Sequence, residues 1–113
     1  METSSRSQAA SLEDPRMPDY LFLMHNDAVD PVDQALWHPY LARLQETGVF
    51  QGGSEIGVGV CVRKTAPQPG FTGHITGYVR VACASLGDAR SLVRGNPVFE
   101  AGGTVEIREL PQS

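Results

Sequence analysis

The stretch "HITGYVRVACASLGDARSLVRGNPVFEAGGTVEIREL", residues 74–110, changes its periodicity twice, and those changes decide the fold. From His74 to Ala84 the residues alternate, with Val79, Val81 and Cys83 on one side and Tyr78, Arg80 and Ala82 on the other, as in a strand with one apolar face. At Ser85 the spacing becomes helical. Leu86, Ala89, Leu92 and Val93 make an apolar stripe, Ser85 is placed to cap it with Asp88 three residues on, and Gly95 followed by Asn96-Pro97 stops it. Alternation returns from Thr104 to Leu110, where Val105 and Ile107 face away from Glu106 and Arg108. The segment reads strand, helix, strand.

The preceding half has the same order. "DYLFLMH", residues 19–25, is a continuous apolar run of strand length, expected of a strand covered on both faces, and it ends in the turn cluster "HNDAVDP". Leu36 or Trp37, Tyr40 or Leu41, and Leu44 then recur at helical spacing, with Gly48 as a stop. Pro39 lacks a backbone donor, so a short turn from Pro31 to Leu36 is expected, followed by the main helix with Pro39 in its first turn. Val49 and Phe50 open a second strand, interrupted at Gly52-Gly53. "IGVGVCVRK", residues 56–64, alternates strictly: Ile56, Val58, Val60 and Val62 share one face, Gly57, Gly59, Cys61 and Arg63 the other. "TAPQPG", residues 65–70, has turn chemistry.

The whole order predicts an α+β chain of βαββαβ type, a ferredoxin-like subunit with an antiparallel sheet and two helices on one face. One domain spans residues 18–113. Residues 1–17, rich in Ser, Gln, Ala and charge without an apolar period, read as a flexible tail. Two short helices cover only one side of such a sheet, and the other side carries Tyr78, Arg80, Ala82, Glu106 and Arg108. A second copy packed on that side is the simplest cover, which makes a homodimer, a dimeric α+β barrel, the expected assembly. Glu106 is then expected to pair with Arg80 or Arg108, because a buried charge without a partner is costly.

Composition bounds the function classes. In 113 residues, 41% are hydrophobic and 19% charged, an ordinary balance for one globular domain. Nine basic residues against thirteen acidic ones, with Arg63-Lys64 the only adjacent basic pair, leave no basic stripe for a phosphate backbone, so nucleic acid is not an expected partner. The longest apolar runs fall far short of a membrane span, and the first residues have no apolar stretch like that of a signal peptide. A cytoplasmic setting with reduced thiols is the default. Cys61 and Cys83 match no metal or redox spacing and are expected as two small buried residues.

At this point a family resemblance enters. "YLFLMHNDA", "WHPYLARLQETGVFQGG", "TGYVRVACASLGDARSLVRGNPVF" and "AGGTVEIREL" resemble, in order and spacing, the YciI-like (YCII-related, DGPF-domain) bacterial proteins over residues 18–110. The Asp-Gly-Pro-Phe segment that names part of that family is absent; "QPGFTGHITGY" stands nearest to it. The resemblance implies a ferredoxin-like subunit in a dimeric α+β barrel, with a ligand or active site in a cleft near the barrel and no established reaction for most members. It also implies a catalytic His–Asp pair, with His38 close to the position of the helix histidine.

The candidate chemistry rests on three histidines at element ends: His25 after the first strand, His38 at the helix start and His74 before the third strand. Imidazole is the usual general base near neutral pH, and Asp27 is placed to orient one of them. Taken singly, each is also an ordinary solvated side chain. No pair has the spacing of a helical metal site, so neither a metal nor another cofactor is expected. Gly52, Gly53, Gly57 and Gly59 match no phosphate loop and read as a bulge or a close backbone approach. Trp37 and Tyr40 read as core anchors. Tyr78, Arg80, Glu106 and Arg108 are either a ligand-binding set for a small anion or an ion-pair network at the dimer interface. The two readings of function are a small dimeric barrel that binds a small organic molecule, with acid–base work by histidine, and a non-catalytic accessory module.

Overall fold

A computed structural model describes residues 17–111. The expected tail lies outside the described residues except for Met17. The elements run β1 (Asp19–His25), a 3-10 turn (Gln34–Leu36), α1 (Trp37–Glu46), β2 (Phe50–Glu55), β3 (Ile75–Ala82), α2 (Leu86–Leu92), α3 (Pro97–Glu100) and β4 (Val105–Leu110). The fold is α+β, with a four-stranded antiparallel sheet in the order β2-β3-β1-β4.

β1 occupies an inner position, paired with β3 on one side and β4 on the other. Its apolar run therefore meets two environments. Tyr20, Phe22 and Met24 are buried against the helices, while Leu21, Leu23 and His25 are half-buried on the helix-free face. β3 follows the same parity: Val79 and Val81 join the core, and Tyr78 and Arg80 point the other way. Tyr40 and Leu44 from α1 and Ala89 and Val93 from the α2 region complete the core on the same side of the sheet.

The helices begin and end where local chemistry directs. Asp33 caps the 3-10 turn, accepting from the Ala35 amide at 3.0 Å, and Pro39 falls in the first turn of α1, where its missing N–H has no intrahelical partner to lose. Gly48 and Gly95 adopt positive φ (77° and 89°), the left-handed conformation that glycine enters without a Cβ penalty. The Asp88 amide donates to Ser85 Oγ at 3.1 Å, the expected cap of α2. Asn96, read above only as a stop, instead starts a further turn. Its Oδ1 accepts from the amides of Val98 (2.9 Å) and Phe99 (3.2 Å), and Pro97 takes the first helical position of α3. Leu86, placed on the apolar stripe by spacing, is 52% exposed at the first position of α2.

One expectation is overturned. Residues 56–64, read as a strand from their strict alternation, lie outside the sheet, and β2 is the short run Phe50–Glu55 through the two glycines. β2 pairs along β3 from Val81 to Gly77, so beyond Ile56, whose amide still reaches the Thr76 carbonyl, the chain has run past the end of its partner. Alternation is a local signal, whereas a strand needs a neighbour. Gly52-Gly53 therefore does not interrupt the strand. The register shifts there, Gly52 has φ 136°, and a Cβ on Gly53 would lie 2.8 Å from the Tyr78 carbonyl oxygen. These two glycines are the bulge and the close approach; Gly57 and Gly59 have open space around them. Cys83 is buried, but Cys61 rides on the excursion and is only half-covered, contrary to the expectation of two buried thiols, and both are free.

Candidate functional site

Chemistry concentrates where β1 ends. A β-bulge interrupts the β1–β3 register between Met24 and His25: Met24 faces Gly77, but His25 faces Ile75. Bulges re-aim the side chains beside them. Glu106 of β4 sits opposite Leu23, one diagonal step from His25, on the same helix-free face. His25 Nε2 and Glu106 Oε1 are 3.0 Å apart. An ionised carboxylate only accepts, so His25 donates through Nε2–H. Arg108 Nη1 donates to the other oxygen, Glu106 Oε2, at 3.2 Å. The hydrogen bond from His25, then that from Arg108, hold the Glu106 carboxyl below the usual carboxylate range, so it is ionised at neutral pH.

His74 completes the cluster edge-on. Its ring centroid is 5.0 Å from that of His25 at an interplanar angle of 71°, and its backbone carbonyl accepts from the Asn26 amide at 2.8 Å. His38 stands apart, exposed on the first turn of α1 and outside both the cluster and the cleft described below. Asp27, expected to orient a histidine, is engaged elsewhere: Oδ1 accepts from the Thr104 amide (2.8 Å) and Oδ2 from the Thr104 hydroxyl (2.6 Å). Those bonds, the hydroxyl's first, lower the Asp27 pKa. The carboxylate on His25 is a glutamate from β4, paired beside β1 but last in the chain.

The two arginines are each matched within the chain. Arg80 binds Asp19 Oδ2 through Nε (2.6 Å) and Nη2 (2.5 Å), and Arg108 binds Glu106. They flank Leu21 on one row of the sheet, while Tyr78 lies on the next row between Ser54 and Leu23.

A cleft of about 630 Å³ opens beside this cluster. Trp37, Leu41, Phe50 and Val79 form part of its apolar lining, and His25, Asn26, Gln34, Ser54, Thr76 and Tyr78 add polar groups. Among the described residues no lysine or arginine lines it, and Glu55 is the one acidic residue there. Trp37 is thus a wall of the cleft as well as a neighbour of Tyr40, whose ring it meets edge-on at 6.1 Å. Asn26 and Gln34, in turns, and Ser54 and Thr76, single polar residues on strands, escaped sequence reasoning, since none of them carries a periodic signal. The His25–Glu106 contact was half-visible: parity put both on one face once β1 and β4 are neighbours, but that adjacency is a tertiary fact.

Among the described residues no helix is long and apolar enough to cross a membrane, and no group of three or more His, Cys, Asp or Glu side chains is placed to hold a metal ion. Comparison of the chain with protein-family models, with curated proteins and with solved structures returns no match.

Proposed function

We propose that this chain is a ferredoxin-like subunit of YciI-like type that works as a homodimer, binds a compact organic molecule in the cleft beside His25, and acts on it by acid–base chemistry. The observation that carries the reading is the double role of His25, which lines the cleft and is hydrogen-bonded to an ionised carboxylate. Such an arrangement orients an imidazole and stabilises the imidazolium that forms when it takes a proton. The lining supports a ligand with a mainly apolar body and few hydrogen-bonding groups; with no cation among its described residues, they offer an anion no counter-charge. The helix-free face, with Leu21 and Leu23 half-exposed, supports the second copy.

Thermal-shift screening of small neutral and cationic metabolites, followed by kinetics on any ligand that is turned over, tests the proposal. His25→Ala and Glu106→Gln are expected to lower turnover by roughly 10²–10⁴-fold, the usual contribution of a positioned base, and His38→Ala to leave it unchanged. Normal turnover by His25→Ala removes the acid–base assignment.

The accessory-module reading keeps one specific support: Arg80 and Arg108 are neutralised by carboxylates of the same chain, as structural ion pairs are. It expects Arg80→Ala or Glu106→Ala to weaken dimerisation in sedimentation experiments, with no ligand-dependent effect.

A further inference from the structure

The connection between β2 and β3 leaves the sheet after Ile56, turns at residues 63–68 and returns to Ile75. Its tip is internally tied: the Arg63 amide donates to Gln68 Oε1 (2.6 Å), Gln68 Nε2 donates to the Arg63 carbonyl (2.9 Å), and the Arg63 guanidinium donates to the carbonyls of Thr65 and Pro67. The outgoing limb is different. Among the described residues, no backbone group of residues 57–62 bonds to another backbone group. Val58, Val60 and Val62 are 90%, 84% and 88% exposed. An alternating β-branched segment with free backbone donors and acceptors is an edge waiting for a strand.

The order of residues names the strand. When the segment is laid antiparallel on itself about Gly59, Glu55 falls opposite Arg63, Ile56 opposite Val62, Gly57 opposite Cys61 and Val58 opposite Val60. Directly opposed residues point to the same face, so every β-branched side chain meets another and every small one meets a small one. Both ends of the ribbon carry an opposite-charge pair. Centring one residue later, on Val60, opposes Glu55 to Thr65 and loses that match. Gly59 itself has nothing within 4 Å of a built Cβ, so the centre is open to a partner backbone.

We propose that residues 56–62 pair antiparallel with the same residues of a second copy of this chain, in the register centred on Gly59, with the Arg63 backbone still on Gln68 and its side chain beside Glu55 of the second copy. The pairing deepens the homodimer reading above and rests on it, but it uses the arm and not the helix-free face. Two-fold symmetry makes the contact self-complementary.

Cysteine trapping in the full chain reads the register. With Cys61→Ser as background, Gly59→Cys places two thiols directly opposite, within the ~4.4–6.8 Å Cα range of a disulfide. Mild oxidation is expected to convert most chains to a covalent dimer. Val58→Cys, equally exposed but displaced diagonally from its copy by roughly 7–8 Å, is expected to cross-link poorly. Sedimentation of Glu55→Arg and of Arg63→Glu should each show dimerisation weakened by about tenfold, because two opposed charge pairs are reversed per dimer, and the double reversal should restore it. A protein that sediments as a monomer overturns the dimer and the pairing together. A dimer in which Gly59→Cys stays unlinked, or Val58→Cys links as readily, overturns the pairing alone.

Discussion

At the scale of single residues, hydrogen bonding sets the charge states that matter. Asp27 and Glu106 are both held below the ordinary carboxylate pKa, the first chiefly by the Thr104 hydroxyl and the second chiefly by His25. A carboxyl whose folded pKa lies below its unfolded value of about 4 adds stability above that pH, and the contribution disappears as pH falls through the folded value. The melting temperature is therefore expected to drop as pH is lowered from roughly 5 to below 4. The double variant Asp27→Asn/Glu106→Gln should melt lower than the parent at pH 7, and its profile in that acid window should be flatter. Thermal melts at stepped pH check this; parallel profiles would remove both groups from the account. The histidines were legible as candidates because their residue type alone marks them. Their pairing was not, because His25 and Glu106 are 81 positions apart and meet only through strand order.

At the scale of elements, caps and glycines carry most of the local instruction. Ser85→Ala removes the acceptor for the Asp88 amide and is expected to cost about 1 kcal/mol, read from denaturant unfolding. The glycines offer a sharper contrast. Gly53→Ala drives a methyl group to within 2.8 Å of the Tyr78 carbonyl, across the β2–β3 pair, and overpacking of that kind costs about 1–3 kcal/mol. Gly59→Ala meets nothing within 4 Å at an ordinary φ and should change stability by less than ~0.5 kcal/mol. The same denaturant titration reads both. From sequence the two residues look alike, each a glycine in or beside an alternating run. Only the position of β3 separates the one under a carbonyl from the one in the open. For the same reason, the alternation at residues 56–64 was legible while its exclusion from the sheet was not.

For the molecule as a whole, the contact between α1 and α2 ties the helical layer together. Tyr40 is 2% exposed and its hydroxyl donates to the Leu92 carbonyl at 2.8 Å. Burial pushes its pKa up to about 12, against an opposing pull from the Asn96 side chain and Arg43. Unfolded tyrosine ionises near pH 10, so the stabilising difference is complete below that pH and is lost as pH rises towards about 12. Tyr40→Phe should lose about 1 kcal/mol at pH 7 with the hydrogen bond, and should lose less than the parent between pH 10 and 12. Circular dichroism melts at alkaline pH compare the two. An identical alkaline loss in the variant would show that Tyr40 does not govern it.

Taken alone, the sequence determined what depends on near neighbours: the alternation of β1, α1, β2, β3, α2 and β4 (though not α3), the caps at Ser85 and Gly95, the placement of Pro39, and the parity that separates Val79 and Val81 from Tyr78 and Arg80. Periodicity and capping are written over a few consecutive residues, so they can be read without the rest of the chain. Tertiary structure decided which strands lie side by side, and so which carboxylate meets His25, which acid neutralises Arg80, and where β3 ends and leaves Val58, Val60 and Val62 without a neighbour. Those outcomes depend on contacts between residues distant in the chain, whose adjacency is set by how the apolar face is buried and by no local pattern.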